Sequence, residues 1–180
     1  MVEPQIQYNN LTLTEHPVWP PGLKSIVLYG TEFAFDGPLR LPEGLRSLSI
    51  DNCKIQAPLV LPESLESFHY GLMPSENFPA VFPPALRTLM LRKFKAPAIP
   101  EIPASVERIS LVRVHLETPF TRLPIYLTSL SLCQTNVTEF EEFPIGLLSL
   151  NIEECMVQRL PRLNNDCRVN IVDSEVKRRN

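Results

Sequence analysis

Prolines recur in this chain at nearly fixed spacing, and that phasing constrains the fold more than any other feature. The phrase P-x-x-L-x-x-L-x-L, with apolar variants at the leucine positions, opens at Pro20, Pro42, Pro62, Pro83, Pro103, Pro124 and Pro144, at intervals of 22, 20, 21, 20, 21 and 20 residues. Self-similarity with so short a period marks a repeat array, in which no unit can bury its apolar side chains except against its neighbours. The phrase also explains an unusual composition: 19 of 180 residues are proline and only 6 are glycine, whereas an average chain has about 5% proline.

The last three positions of each phrase alternate apolar, variable, apolar, the period of a strand with one face buried. The apolar pairs are Ile26 and Leu28, Leu48 and Ile50, Phe68 and Tyr70, Leu89 and Leu91, Ile109 and Leu111, Leu130 and Leu132, and Leu150 and Ile152. The residue three positions before each pair (Leu23, Leu45, Leu65, Leu86, Val106, Leu127, Leu147) is expected to enter the same core as the chain turns into the strand. A fourth inward residue comes from the return, as at Phe33, Ile55, Leu116, Val137 and Val157. Returns such as Ala96–Pro103 hold too many prolines for a helix, because proline lacks an N–H and disfavours helix in the residue before it. An extended or polyproline II path is left.

These readings predict a β-rich solenoid with one parallel sheet on a concave face and an irregular, polyproline-like convex side, advancing about 4.8 Å per coil. Residues 1–19 form an N-terminal cap, with Ile6 and Tyr8 lying 20 residues before Ile26 and Leu28 and Trp19 covering the first coil. Residues 20–160 hold the seven repeats. Residues 161–180 hold a degraded eighth phrase from Pro161, with Cys167, Val169 and Ile171 in the core register, and a polar tail from Asp173 expected to fray.

Composition narrows the function. The chain is 44% hydrophobic and 21% charged with net charge −3, an ordinary globular balance that gives no reason to expect nucleic acid as a partner. Cys53, Cys133, Cys155 and Cys167 form no C-x-x-C pair, and His16, His69 and His115 lie far from them in sequence. Neither a disulfide framework nor a metal site is expected, and no phosphate-binding or dinucleotide fingerprint calls for a cofactor. The opening MVEPQIQYNN has no basic stretch leading into an apolar run, and no apolar run reaches the roughly 18 residues of a membrane span. A cytoplasmic protein away from membranes is expected, with the sequons at Asn10 and Asn136 unused.

The phrase, with its leading leucine in L-P-x-x-L-x-x-L-x-[LI], resembles the short leucine-rich repeats of bacterial type III effectors. It is also similar to the FNIP-type repeats of amoebal proteins, most closely at Asp36–Pro42 and Ala57–Pro62. The resemblance covers about residues 20–161 and implies a right-handed leucine-rich-repeat superhelix that binds macromolecules; the effector likeness adds delivery into a host cell. Where leucine-rich repeats carry an asparagine ladder, this chain has Thr31, Cys53, Met73, Phe94, Val114, Thr135 and Cys155. Cys and Thr can serve there, while Met, Phe and Val are expected as apolar filler, leaving the middle turns to find other hydrogen-bond partners. Such effectors often carry a ubiquitin-ligase domain with a C-x-D nucleophile motif, which Asn165-Asp166-Cys167-Arg168 lacks.

Side chains between the inward ones form three columns on the sheet's other face. The first is Ser25, Ser47, Ser67, Thr88, Arg108, Ser129 and Ser149, and the second is Val27, Ser49, His69, Met90, Ser110, Ser131 and Asn151. The third is Tyr29, Asp51, Gly71, Arg92, Val112, Cys133 and Glu153. The hydroxyl column suits a crowded face. Tyr29, His69, Met90, Arg92 and Arg108 are the types that anchor interfaces, and Asp51 and Glu153 can orient a partner by charge. These seven are the expected partner-binding residues. No catalytic residues are expected: Ser67 and His69 share one strand, and no G-x-S-x-G elbow exists. The sequence therefore reads as a non-enzymatic, monomeric protein-interaction module, a recognition arm or effector, with an architectural, self-associating repeat protein as the alternative.

Overall fold

The computed structural model describes residues 4–157 and 160–176. Each phrase folds in the same way. The carbonyl of its leading proline accepts the N–H of the residue three further on: Leu45 to Pro42 and Leu65 to Pro62 at 3.1 Å, Leu86 to Pro83 and Val106 to Pro103 at 3.1 Å, and Leu147 to Pro144 at 3.0 Å. That bond closes a β-turn. Its first position needs only a carbonyl, so proline's missing N–H costs nothing there. The turn drops the phrase's apolar fourth residue under the sheet, and the strand begins two residues later.

The strands are β1 (Gln5–Asn9), β2 (Thr12–Leu13), β3 (Ser25–Tyr29), β4 (Glu32–Phe33), β5 (Ser47–Asp51), β6 (Ser67–Gly71), β7 (Thr88–Ala96), β8 (Arg108–Leu116), β9 (Ser129–Cys133), β10 (Ser149–Glu153), β11 (Met156–Val157), β12 (Arg168–Val172) and β13 (Glu175–Val176). Nine of them build one parallel sheet in the order β1-β3-β5-β6-β7-β8-β9-β10-β12. The molecule is a β-solenoid. Its helical content among the described residues is a 3-10 turn at Ser75–Asn77, and no helix is long and apolar enough to cross a membrane.

The inner columns of the seven repeats are buried: Ile26, Leu28, Leu45, Ile50, Leu65, Leu86, Leu111 and Leu132 are all at 0% exposure. The centre of the stack is aromatic. Phe78 lies 4.6 Å from Phe94 and 4.9 Å from Tyr70 between ring centroids, and the Tyr70 hydroxyl donates to the Pro74 carbonyl at 2.6 Å. Burial pushes the Tyr70 phenol well above its ordinary range.

Each coil of the sheet turns a corner through a left-handed residue, just past the strand at Asn10, Gly30, Asn52, Leu72, Gln134, Glu154 and Asp173 and within the longer β7 and β8 at Lys93 and Arg113, with φ between 46° and 60°. One of these is glycine. The corner keeps the ladder continuous, because its N–H donates to the carbonyl of the third-column residue in the next coil, as from Gly30 to Asp51, Asn52 to Gly71 and Leu72 to Arg92, each at 3.0 Å.

The next position is the one that lacks an asparagine ladder. Thr31 Oγ1 donates to the Tyr29 carbonyl at 3.3 Å, and the Cys53 and Cys155 thiols donate to Asp51 and Glu153 carbonyls at 3.3 and 3.2 Å. Met73 is more than filler, since its Sδ accepts the Cys53 N–H at 3.1 Å. At Phe94 and Val114 the sheet itself supplies the partners: β7 and β8 run on for nine residues each, pairing Phe94 with Val114, Lys95 with His115 and Ala96 with Leu116. Asn136 then closes the exposed edge, accepting the Leu116 N–H at 3.0 Å and donating to its carbonyl at 2.7 Å.

The two ends differ. On β1, Ile6 pairs with Ile26 and Tyr8 with Leu28; Trp19 stacks on Tyr8 at 6.0 Å and donates to the Arg40 carbonyl at 2.7 Å. On β12, Val169 and Ile171 register with Leu150 and Ile152 but are 45% and 38% exposed. The last turn is headed by Asn164 rather than Pro161, since the Cys167 N–H returns to the Asn164 carbonyl at 3.1 Å. Within the tail from Asp173, Glu175 and Val176 form β13 and pair with β11; residues 177–180 lie outside the described residues.

Left-handed backbone costs a side chain with a Cβ on the order of 1 kcal/mol or more, and a β-branched one most. Leu72 bears this with its side chain partly in solvent (φ 51°, 38% exposed). Leu72→Gly should therefore lie between neutral and about 1 kcal/mol more stable in urea unfolding, after the extra chain entropy of glycine. Leu72→Val should be at least about 1 kcal/mol less stable. Equal stability of the two variants would remove the backbone argument.

Candidate partner-binding face

Strand alternation and register place the three polar columns on the solvent side of the sheet, one residue per coil, so residues distant in sequence become neighbours. Ser49, His69 and Met90 align across β5, β6 and β7, as do Asp51, Gly71 and Arg92. Tyr29 and Met90 are 44% and 36% exposed, and Arg108 is exposed, with Nε donating to Thr88 Oγ1 at 3.3 Å. Asp51, His69, Met90, Arg92 and Arg108 therefore share the centre of the face, with Tyr29 one coil away. Glu153 lies apart on β10, two strands beyond β8. There the second column becomes a polar ladder, in which Asn170 Nδ2 donates to Asn151 Oδ1 at 2.6 Å and Asn151 Nδ2 to Ser131 Oγ at 3.5 Å.

Asp51 is not displayed as the sequence suggested: it is 4% exposed. Its Oδ2 accepts from Arg92 Nη2 across two coils. The residue between them is Gly71, and a Cβ there would stand 2.6 Å from Asp51 Oδ2 and 3.5 Å from Arg92 Cβ. The glycine is what lets the carboxylate and the guanidinium meet. Sequence reasoning gave Gly71 no role, although an isolated glycine inside a strand is the usual sign of a close approach.

His69 stands over the same carboxylate, with Nε2 4.0 Å from Asp51 Oδ2 and Nδ1 3.1 Å from Ser49 Oγ. Burial holds its pKa below the ordinary 6.5; Asp51 pulls it up and Arg92 pushes it down, and the downward causes win. Near pH 7 the ring is therefore neutral, and the contact with Asp51 is charge against dipole rather than an ion pair. The carboxylate favours the tautomer with its proton on Nε2, in which Ser49 Oγ donates to Nδ1. Asp51 Oδ1, His69 Nε2 and Arg92 Nε are buried with no hydrogen-bond partner among the described residues, so the cluster holds unused bonding capacity.

Among the described residues no group of three or more His, Cys, Asp or Glu side chains is placed to hold a metal. Cys53 and Cys155 are buried, and Cys133 and Cys167 are half-buried; burial raises the thiol pKa of Cys53, Cys133 and Cys167, which disfavours the reactive thiolate.

Two consequences are measurable. Below pH 6.5 the unfolded chain takes up a proton that folded His69 resists, so the unfolded state binds more protons and stability falls as the pH drops through the lower folded value. Urea midpoints between pH 7.5 and 5 should show this loss in the wild type and less of it in His69→Gln; identical pH slopes would contradict the buried, neutral ring. Gly71→Ala should cost about 1–3 kcal/mol by forcing the Asp51–Arg92 pair apart, and stability equal to wild type would show that the pair does not need the glycine. No protein-family model, curated protein or solved structure matches this chain.

Proposed function

We propose that the chain is a non-enzymatic leucine-rich-repeat interaction module of the short-repeat kind, a cytoplasmic recognition arm or effector that binds a protein partner on the solvent face of its sheet. The observation that carries this reading is Asp51, buried under Arg92. Burying a carboxylate is expensive and contributes little net stability even when paired. What the pair does achieve is to hold an accessible guanidinium in one orientation, beside exposed Met90 and Arg108, with Tyr29 one coil beyond Asp51. A pre-oriented Arg among exposed large side chains lowers the ordering cost of association.

The non-enzymatic part rests on the same cluster. Ser49, His69 and Asp51 are the residue types of a hydrolytic triad, but the carboxylate is engaged by Arg92. The backbone N–H groups of β5 and β6 serve sheet ladders on both sides, which leaves no donor pair aimed at a developing oxyanion.

The architectural alternative has its own supporting observation. On edge strand β12, Val169, Ile171 and Val172 are 45%, 38% and 40% exposed, and an open apolar edge is a template for self-association.

The readings separate in an affinity capture from lysate comparing wild type with the triple variant Tyr29→Ala, His69→Ala, Arg92→Ala, folding being verified by circular dichroism. Because removing Arg92 strands a buried carboxylate, Tyr29→Ala/Met90→Ala serves as a second variant that leaves the cluster intact. A partner held by wild type and weakened at least 10-fold in a folded variant is the expected result. Equal retention, or a stable oligomer indifferent to both changes, would favour assembly instead.

A further inference from the structure

Cations and carboxylates facing one another on adjacent coils of this solenoid pair: Lys54 with Glu32 at 3.4 Å, Arg46 with Glu66 at 3.6 Å, Arg122 with Glu141 at 3.1 Å, and Arg87 with Glu107. The two longest strands depart from that pattern. β7 reads TLMLRKFKA and β8 reads RISLVRVHL, with five Lys and Arg residues and no Asp or Glu in either. Lys93, Lys95, Arg108, Arg113 and His115 are all exposed. Among the described residues no carboxylate pairs with Lys93, Lys95, Arg108 or Arg113; Arg113 Nε donates instead to the neutral Gln134 at 2.6 Å.

Stacking makes this patch repel itself. Lys93 and Arg113, both cations, are the corner residues of adjacent coils, and Lys95 extends the same basic row beside them. Like charges placed side by side across a ladder destabilise the fold, and a chain of net charge −3 has acidic residues to spare. Where both strands run on past the corner, no carboxylate pairs directly with these cations among the described residues, and Gln134 is what links Arg113 to Glu154 on the next coil.

We propose that this corner and flank of β7 and β8 is a docking site for a short acidic segment of a protein partner, whose carboxylates take Lys93, Lys95, Arg108 and Arg113. This rests on the reading of the chain as a protein-binding module. The span from Arg108 to Arg113 is about 16 Å, which an extended segment of about six residues covers. A longer polyanion is disfavoured, because the following coils present Glu139, Glu141, Glu142 and Glu154 to solvent and repel it. Nucleic acid is a poorer fit also because the patch has no exposed aromatic ring for stacking, Phe94 being buried.

The test is fluorescence anisotropy at low salt with a fluorescein-labelled hexaglutamate peptide. Lys93→Glu/Lys95→Glu places carboxylates opposite Arg113 and His115, so the variant should unfold no more easily than wild type while its affinity for the peptide falls at least 10-fold. Lys54→Glu/Arg122→Glu changes net charge equally and should leave affinity within about 2-fold, and binding should weaken steeply as NaCl screens it. No peptide binding by wild type, or equal losses in both variants, would overturn the site. So would tighter, patch-dependent binding of a labelled dT12 oligonucleotide, or salt-sensitive self-association that the patch variant removes, which would name nucleic acid or a second copy as the occupant. In the lysate capture, a partner lost by Tyr29→Ala/Met90→Ala but kept by Lys93→Glu/Lys95→Glu refutes this site while sparing the sheet-face reading; the opposite result supports it.

Discussion

The hydrogen bond from each phrase's fourth residue back to its leading proline carbonyl fixes where each of the seven repeats turns into the sheet. Once that point is fixed, one residue of each coil stacks on its equivalent in the next, and the whole molecule becomes a set of columns. Inner columns must then be uniformly apolar, because a polar group there has no water to bind. Outer columns escape that demand and are free to carry chemistry. The same stacking makes every outer side chain answerable to the residue 20 or so positions away, which is why hydrogen bonds such as Lys54 to Glu32 and Gln134 to Glu154 bridge coils rather than lie within one.

The parts of this structure that follow from the period were legible in the sequence, and the parts that depend on departures from it were not. Leu23, Leu45 and Leu65 announce their burial by recurrence. The left-handed corner does not announce itself, because Asn10, Leu72, Lys93 and Glu154 have no chemistry in common and one corner is glycine; the conformation is imposed by the ladder that must continue around it. Met73 looks like filler until its sulfur is found against the Cys53 N–H. The long runs of β7 and β8 were readable in principle, since Phe94-Lys95-Ala96 and Val114-His115-Leu116 continue the apolar alternation past the corner.

The candidate face divides in the same way. Its membership followed from counting, because columns are arithmetic. The burial of Asp51 did not, since it requires Gly71 on the next coil and Arg92 on the one after, a relation spanning 41 residues. A single sequence shows an aspartate, a glycine and an arginine in one column without saying that the glycine's missing side chain is the space the other two use.

In a repeat array, stability is mostly a sum of coil and nearest-neighbour contributions, so an isolated coil at an end is the first to open. The exposed Val169 and Ile171 place that weakness on the β12 side. The coils of β5 to β8 are at the other extreme: they share the aromatic cluster of Phe68, Tyr70, Phe78 and Phe94, the two longest strands and an ion pair that reaches across two coils. A buried carboxylate and a self-repelling row of cations are tolerable only where the surrounding core over-determines the backbone. They sit in the part of the solenoid with the largest aromatic core and the longest strands, where an arginine held by a buried carboxylate has little rotational freedom left to lose.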